Sequence, residues 1–333
     1  MNILFFSAKA YDRTCFDAAN KPYQHNIRYI DAKLTLDTAH LVRDTQIVCV
    51  FVNDTLDAAV LAKLAEAGVQ LIALRCAGYN NVDMKAAHAL GLVVVRVPAY
   101  SPYAVAEHAL CLMLALNRKV HRAYNRVREG NFSLNGLLGF DFHGRTAGII
   151  GTGRIGSLLA RTLNAMGMKV LAYDPYPISN PGDYGFSYCD LPTLLATSDV
   201  VSMHCPLNAD TLHMIDKTAL KTMKKGVMII NTSRGALLDA EAITAGLKSK
   251  KIGYLGLDVY EQESELFFED LSSEIIQDDI FERLLMFPNV LITSHQGFFT
   301  SEAIDNIAQT TLDNIQAFKS GDLTRIQSHI VQR

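Results

Sequence analysis

The chain has 333 residues, of which 49% are hydrophobic and 20% charged, and its formal net charge at pH 7 is −3. This length predicts two domains, and the scattered, slightly acidic charge argues against a nucleic-acid partner. The longest apolar run near the middle, residues 109–116, is far shorter than the ~20 residues that span a bilayer, so no membrane partner is expected.

The amino terminus and the cysteines favour a cytoplasmic protein. Residues 2–6 resemble a strand, with neither a basic stretch nor a cleavage site, so no signal peptide is expected. The six cysteines are widely spaced without a CxxC pair, which predicts reduced thiols. No His or Cys spacing fits a metal site, so none is predicted.

The first hundred residues predict a small α/β domain. Helical segments at 56–67 and 84–90 lie among apolar runs, and the domain is expected to be flavodoxin-like in strand number. It has no glycine-rich phosphate loop, which favours a substrate domain over a second nucleotide site. The predicted strands are 2–6, 27–31, 47–52, 71–75 and 92–97.

A turn-rich break separates this domain from the next. Ser101 is the expected N-cap of a long helix that starts at Pro102 and runs to about Tyr124. From residue 146 onward, apolar strands alternate with amphipathic helices, which predicts a Rossmann doubly wound domain. Its six predicted strands are 147–151, 169–174, 200–204, 227–232, 254–259 and 290–294.

The last predicted helix has no strand of the Rossmann sheet left to follow. Its apolar residues repeat with the helical period from Ala303 to Phe318, and Gly321 ends it. We therefore expect it to complete the first domain. The predicted domains are residues 1–100 with 298–333 for the substrate, and residues 101–297 for the dinucleotide. The two crossings, near residues 100 and 298, are expected to act as a hinge.

The most specific motif is the glycine turn between the first two Rossmann strands. Gly151 makes the tight turn, Gly153 lets the backbone approach a pyrophosphate, and Gly156 lets helix pack on strand. The helix that follows presents free N–H groups to the phosphates. Asp174 ends the second strand, where a carboxylate can bind both ribose hydroxyls and repel a 2′-phosphate. The motif therefore predicts NAD as the cofactor in preference to NADP.

Three side chains that reduction of a ketone needs follow different strands. A guanidinium at Arg234 can form two parallel hydrogen bonds with a carboxylate. An imidazole at His295 can pass a proton to oxygen, and a carboxylate at Glu263 can orient it and stabilise its charged form. Each of these residues also has a structural interpretation that involves no catalysis. Arg234 could form a surface ion pair, Glu263 lies in the acidic stretch 261–282, and a single histidine at a strand end is usually structural.

These residues together resemble the D-isomer-specific 2-hydroxyacid dehydrogenases. The shared pattern joins the glycine turn, Asp174, the segment 231–235, the segment 258–263 and His295, and it runs over essentially the whole chain. Four further segments are similar to the NAD-dependent D-lactate dehydrogenases of fermenting bacteria. They are residues 75–83, 97–102, 266–270 and 295–300.

The resemblance implies the reaction and the role of each site residue. Pyruvate would be reduced to D-lactate by NADH, with His295 as acid/base, Glu263 as its partner and Arg234 as the carboxylate ligand. The related formate dehydrogenases carry glutamine at the position of Glu263, so this carboxylate favours acid–base chemistry on a hydroxyl. Further substrate contacts are implied for Ala77 and Gly78, through backbone N–H groups, and for Tyr100 and Phe299, as pocket walls, with Phe51 a weaker candidate. The implied cofactor residues beyond the glycines and Asp174 are Arg154, Ile155, Cys205, Pro206, Thr232 and Asp258.

Two alternatives stay open from the sequence. The substrate could be another small D-2-hydroxy acid, such as the acid formed from hydroxypyruvate, a phosphoglycerate or a branched 2-oxo acid, and pocket size would discriminate. The chain could also be a dinucleotide-sensing interaction protein, because corepressors are built on this scaffold. The helix at 101–124 is more apolar than one stripe requires, and the resemblance implies a homodimer or homotetramer.

Overall fold

The computed structural model describes residues 1–331 apart from the side chain of Glu265, and the chain divides into two units. The first comprises Met1–Ser101 and the chain from Phe298 onward, and the second is Pro102–Gly297. The sequence predicts the first change of domain before Ser101, whereas the structure has it before Pro102, where a helix begins. The last two residues of the predicted segment 298–333, Gln332 and Arg333, lie outside the described residues.

The first unit has a parallel sheet with helices between its strands. In chain order its elements are β1 (Asn2–Phe5), α1 (Ala10–Ala19), β2 (Asn26–Tyr29), β3 (Ile47–Val50), α2 (Ala58–Glu66), β4 (Leu71–Leu74), α3 (Met84–Ala89) and β5 (Val93–Val95). The strand order is β2-β1-β3-β4-β5, which is the flavodoxin-like order, and the five strands agree with the number that the sequence predicts. Every residue of β3 and β4 is buried, because a parallel sheet is covered on both faces.

The second unit has a larger parallel sheet. In chain order its elements are α4 (Pro102–Arg118), α5 (Val120–Arg128), β6 (Thr146–Ile150), α6 (Arg154–Ala165), β7 (Lys169–Tyr173), β8 (Phe186–Tyr188), α7 (Leu191–Thr197), β9 (Val200–Met203), α8 (Lys217–Thr222), β10 (Val227–Asn231), α9 (Ala240–Lys248), β11 (Ile252–Leu257), α10 (Asp279–Met286) and β12 (Val290–Ile292). The strand order is β12-β11-β10-β9-β6-β7-β8. Its first six strands in chain order follow the Rossmann order 3-2-1-4-5-6, and β12 adds a seventh.

Two of the sequence predictions for the second unit are wrong in detail. The strand β8 is missing from them, because its three residues follow a loop and show no apolar run. The helix predicted for residues 101–124 is two helices, since Lys119 has a left-handed backbone with φ of +50° and separates α4 from α5. The apolar pattern continues across this break, and therefore hides it.

The final helix, α11 (Ser301–Ser320), belongs to the first unit and packs against α1 and β4. The Thr300 hydroxyl accepts a hydrogen bond from the N–H of Ala303 at its start, and Gly321 ends it with φ of +73°. The α/β class, with a Rossmann and a flavodoxin-like part completed by this helix, is therefore confirmed. Within residues 1–331, no helix combines the length and the apolar composition that crossing a bilayer requires.

Candidate active site

The glycine turn lies between β6 and α6, and each of its glycines has a different surrounding. Gly151 has φ of +94°, and a Cβ there would lie 2.6 Å from the backbone N of Cys205. A Cβ at Gly156 would lie 2.0 Å from the carbonyl oxygen of Gly151, whereas a Cβ at Gly153 would meet nothing within 4 Å. The first and third glycines thus permit close packing, and the second opens onto free space. This is the arrangement that a pyrophosphate needs.

The helix α6 begins at this turn without a side-chain cap. Gly153 is its N-cap residue and has no side chain that could accept a hydrogen bond. The first N–H groups of α6, from exposed Arg154 and half-buried Ile155 onward, therefore suit an anionic ligand. The turn and the helix start fit a dinucleotide phosphate.

Asp174 directly follows β7 and is held against the turn. Its Oδ2 accepts hydrogen bonds from the Thr152 N–H at 2.7 Å and from the Thr152 hydroxyl at 3.1 Å. Its Oδ1 accepts from the N–H of Tyr176 at 2.8 Å. The carboxylate is thus fixed beside the glycine turn, where the sequence predicts contact with a ribose.

The ends of β9 and β10 bring further predicted cofactor residues to the same edge of the sheet. The backbone of Cys205 packs against Gly151, and its carbonyl accepts from the Ser233 hydroxyl at 2.6 Å. Burial raises the pKa of the Cys205 thiol to about 11, so the thiol is protonated and not a nucleophile at neutral pH. Pro206 accepts from the Thr211 hydroxyl at 2.7 Å. The Thr232 hydroxyl is buried and makes no hydrogen bond within residues 1–331, as expected of a group that awaits a ligand.

Arg234 lies in a tight turn after β10, against the chain that follows β11. The side-chain amide of Asn231 closes the turn by donating to the Arg234 carbonyl at 2.8 Å. A Cβ on Gly235 would lie 2.0 Å from the carbonyl carbon of Tyr260, so only glycine permits this approach. The N–H of Tyr260 in turn donates to Oε2 of Glu263 at 3.0 Å. The glycine therefore brings the Arg234 turn and the Glu263 turn together.

His295 and Glu263 form a hydrogen-bonded pair. The ring nitrogen Nδ1 lies 2.8 Å from Oε1 of Glu263, and the two side chains are 17% and 18% exposed. Within residues 1–331, the other ring nitrogen, Nε2, makes no hydrogen bond. His295 has a left-handed backbone with φ of +54°, a strained conformation for a residue with a side chain. The pair thus has the geometry of an oriented acid/base group.

Asp258 holds the segment that carries His295. Its Oδ1 accepts from the Thr293 hydroxyl at 2.6 Å and from the Gln296 N–H at 2.8 Å, and its Oδ2 accepts from the Gly297 N–H at 2.8 Å. Burial acts to raise the pKa of Asp258, but hydrogen bonds from His108 and Thr293 outweigh it and lower that pKa below the ordinary value. Asp258 is therefore a buried anion whose contacts fix the His295 loop.

The predicted substrate residues Ala77 and Gly78 lie in the first unit, after β4. The carbonyl of Ala77 accepts from Nη1 of Arg96 at 2.8 Å, and the carbonyl of Gly78 accepts from the Cys76 thiol at 3.2 Å. In a trans peptide the N–H points away from the carbonyl, so Arg96 directs the Gly78 N–H to the opposite side. These contacts fix the peptide to which the resemblance gives a binding role.

The predicted aromatic walls belong to one cluster in the first unit. The buried ring of Phe298 lies 6.2 Å from Tyr100, 5.9 Å from Phe299 and 5.8 Å from Phe51, measured between ring centroids. Phe299 is 49% exposed and packs edge-on against Tyr11. Sequence reasoning named three of these rings but missed Phe298, the central one.

Other residues of the site escape sequence reasoning because their partners are distant in the chain. His108 on α4 lies 3.2 Å from Oδ1 of Asp258 and 3.0 Å from the Thr293 hydroxyl. Thr152, a variable position of the glycine motif, binds Asp174, and Tyr188 on β8 binds Thr152. Of these residues, only Thr152 could have been found from the sequence, because it lies between two glycines of the motif.

Comparisons with known proteins place this geometry in a family. Residues 110–297 match the family model described as D-isomer specific 2-hydroxyacid dehydrogenase, NAD binding domain. The chain is 51% identical to the D-lactate dehydrogenase of Escherichia coli, over 97% of this chain and 98% of that protein. The structure of a pyruvate reductase of Chlamydomonas reinhardtii is 44% identical, covers 96% of this chain and 97% of its own, and has a TM-score of 0.91. A D-lactate dehydrogenase of Aquifex aeolicus, complexed with NAD and lactic acid, is 34% identical, covers 99% of both chains and has a TM-score of 0.88.

Proposed function

Because this chain belongs to the D-isomer-specific 2-hydroxyacid dehydrogenase family, we propose that it interconverts pyruvate and D-lactate with NADH and NAD. The observation that carries the proposal is the His295–Glu263 pair, on the strand-end side of an NAD-binding domain, in a chain whose relatives are named D-lactate dehydrogenases. The glycine turn and the uncapped start of α6 fit the pyrophosphate of NAD, and the unpartnered Thr232 hydroxyl fits a bound cofactor. When bound, NADH supplies a hydride to C2 of the keto acid.

His295 supplies the proton. Glu263 engages Nδ1, so Nε2 is the nitrogen that faces a substrate, and the imidazolium gives its Nε2 proton to the carbonyl oxygen as that oxygen becomes an alcohol. In the reverse direction the neutral ring takes the proton from the hydroxyl. Glu263, bonded to Nδ1, fixes the orientation of the ring. Asp258 supports this chemistry by holding the backbone of residues 296 and 297.

Arg234 binds the substrate carboxylate. A guanidinium presents two parallel donors that match a carboxylate, and the turn closed by Asn231 fixes where the arginine leaves the backbone. Ala77 and Gly78 contribute backbone N–H groups, and Tyr100 and Phe299 limit the size of the side chain on C2. These roles for the first unit rest on the family resemblance and on the fixed Ala77–Gly78 peptide.

We propose that the chain works as a cytoplasmic homodimer or homotetramer. The helices α4 and α5 expose apolar side chains, and such patches mark protein interfaces. They are Tyr103, Leu114, Val120, Tyr124 and Val127. Light scattering at micromolar concentration would measure the mass, and a monomer would contradict this proposal.

The test is an NADH oxidation assay with a panel of 2-oxo acids and a chiral analysis of the product. We expect the highest kcat/KM for pyruvate and a product that is D-lactate. If kcat/KM were higher for hydroxypyruvate, phosphohydroxypyruvate or a branched 2-oxo acid, that acid would be the substrate in place of pyruvate. Binding of NADH without turnover of any acid would favour the dinucleotide-sensing alternative.

A further inference from the structure

A chain of hydrogen bonds runs from the edge strand β8 to the carboxylate of Asp174. The hydroxyl of Tyr188 lies 2.7 Å from the hydroxyl of Thr152, which lies 3.1 Å from Oδ2 of Asp174. Thr152 is buried and also donates its N–H to the same oxygen at 2.7 Å. Tyr188 is half-buried and lies opposite Ala172, two residues before Asp174, in the β7–β8 pairing. The β7–β8 pairing therefore places Tyr188 near the end of β7, and side-chain hydrogen bonds connect it through Thr152 to Asp174.

The direction of the hydrogen bonds follows from the donors available. The hydroxyl of Tyr188 accepts the N–H of Ile178 at 2.9 Å, so its own proton is free to go elsewhere. Within residues 1–331 the acceptor it meets is the Thr152 hydroxyl. Thr152, having accepted that proton, gives its own to Asp174. The order of donation is therefore Tyr188 to Thr152 to Asp174, and each hydroxyl polarises the next.

This arrangement decides which oxygen of Asp174 remains for a ligand. Oδ2 already accepts two hydrogen bonds from Thr152, which use its two lone pairs. Oδ1 accepts one, from the N–H of Tyr176, and has capacity for another. The carboxylate is thus held at both oxygens and cannot rotate away from an approaching group without losing hydrogen bonds.

A fixed carboxylate at this place distinguishes two ribose chemistries. It can accept a hydrogen bond from a ribose hydroxyl, whereas a ribose 2′-phosphate would bring like charges together. A mobile carboxylate could turn away from the phosphate, and the discrimination would be weaker. Rigidity of Asp174 therefore contributes to selectivity separately from its charge.

We propose that Tyr188 is a positioning residue for cofactor choice, acting through Thr152 to keep Asp174 in the conformation that accepts NADH and rejects NADPH. This rests on the proposed role of Asp174 in the NAD site. It assigns a function to β8, the strand that the sequence pattern does not reveal. The ligand concerned is the ribose of the adenosine half of the cofactor.

The test is direct titration of NADH and NADPH against the full-length Tyr188→Phe variant, with the emission of the reduced cofactor as the signal. The chain has no tryptophan, so protein emission interferes little. Loss of one neutral hydrogen bond, worth about 0.5–1.5 kcal/mol, predicts that the ratio of Kd for NADPH to Kd for NADH falls by about 2- to 13-fold. Thr152→Val should lower the ratio by at least as much, and Thr152→Ser, which keeps the hydroxyl, should restore it.

Two controls separate this role from a structural one. Tyr184→Phe removes a hydroxyl from a neighbouring ring that also packs on Phe186 but makes no hydrogen bond to Thr152, and its ratio should equal that of the wild type. In an Asp174→Ala background, adding Tyr188→Phe should leave the ratio unchanged, because the relay has nothing to position. A Tyr188→Phe variant that loses affinity equally for both cofactors, or for neither, would overturn the proposal. Failure of pyruvate turnover with these binding results intact would instead count against the proposed reaction alone.

Discussion

Charged side chains follow the strands of both parallel sheets, but they are buried to different degrees. In the first unit, Arg75 directly follows β4 and its Nε lies 3.4 Å from Oδ1 of Asp12, with the two side chains 2% and 6% exposed. Its guanidinium packs over the rings of Phe5 and Phe51 and donates to the carbonyl of Ser7 at 2.8 Å. This charge is enclosed by the protein.

In the second unit, the His295–Glu263 pair at the corresponding edge is less deeply buried than the Arg75–Asp12 pair. His295 and Glu263 are about three to nine times more exposed than the Arg75 pair (17% and 18% against 2% and 6%), and one ring nitrogen makes no hydrogen bond within the described chain. A buried ion pair contributes to a unique fold but has little to offer a ligand. A partly exposed pair whose second ring nitrogen makes no hydrogen bond within the described chain can act on a substrate. A position at a strand end therefore does not by itself identify a catalytic group, because the solvent access of the two pairs differs.

The largest expected effect is on the rate, from His295→Gln. We expect kcat for pyruvate reduction to fall by at least about 100-fold, because an amide cannot act as a general acid. His213→Gln is the matched control, since that ring also pairs with a glutamate, Glu261, at 3.1 Å but is not placed in the site. A His295→Gln variant with a kcat within a few-fold of the wild type would contradict the catalytic role of His295. The His295–Glu263 pair would then be no more catalytic than the buried Arg75–Asp12 pair.

The two arginines provide the next test. Arg234→Lys should raise KM for pyruvate by about 10- to 100-fold with little change in Tm, because an ammonium cannot form the planar bidentate pair. Arg75→Lys should lower Tm, since a buried ammonium loses both the ion-pair geometry and the two ring contacts. Steady-state kinetics and thermal unfolding of both variants check this. A wild-type KM in Arg234→Lys would refute its role as carboxylate ligand.

Two glycines of the glycine turn are expected to affect different properties: Gly153 the affinity for NADH, and Gly156 the stability of the fold. Gly153→Ala places a methyl group in free space, so we expect an unchanged Tm but about a 10-fold higher Kd for NADH, as the backbone can no longer approach the pyrophosphate. Gly156→Ala places its methyl group against the Gly151 carbonyl and should lower Tm. Equal NADH affinity in Gly153→Ala and wild type would contradict the predicted phosphate site.

The smallest expected effect is on the stability of the first unit at acid pH, and it comes from His25. His25 is 5% exposed, neither of its ring nitrogens has a hydrogen-bond partner in the part of the chain that the structure describes, and burial lowers its pKa from 6.5 to about 4. The unfolded chain therefore binds a proton that the folded chain refuses, so stability present above pH 6.5 is lost as the pH falls towards 4. The loss is at most roughly 3 kcal/mol. His25→Leu should flatten the dependence of Tm on pH over this range, whereas His88→Gln, at an exposed site, should not.

Much of the fold follows from local sequence, and the misses have physical causes. Buried parallel strands show as continuous apolar runs, so β3, β4, β6 and β10 are predictable. The edge strand β8 buries fully only Phe186, and its alternation is too short to recognise. Lys119 breaks the helix through its backbone conformation, which no side-chain pattern encodes.

In the candidate site too, residues close together in the sequence are predictable, and most contacts between distant residues are not. Gly151, Gly153 and Gly156 are predictable because one turn needs all three within six residues. The pairing of Glu263 with His295 joins residues that follow two different strands, which the sequence predicts from the strand ends and from the family resemblance. That Arg234 acts with them stays a prediction. The contacts of Asp258 with His108 and of Thr152 with Tyr188 join residues that are far apart in the chain, so they become visible only in the folded structure.

Proton transfer by the His295–Glu263 pair can be measured by pH–rate profiles for pyruvate reduction and for D-lactate oxidation between about pH 5 and 9. Reduction needs the protonated ring and oxidation the neutral ring. We therefore predict that the rate of reduction falls and the rate of oxidation rises as the pH increases, through the same transition. Flat profiles in both directions, or two rates that change in the same direction, would show that His295 is not the group that transfers the proton.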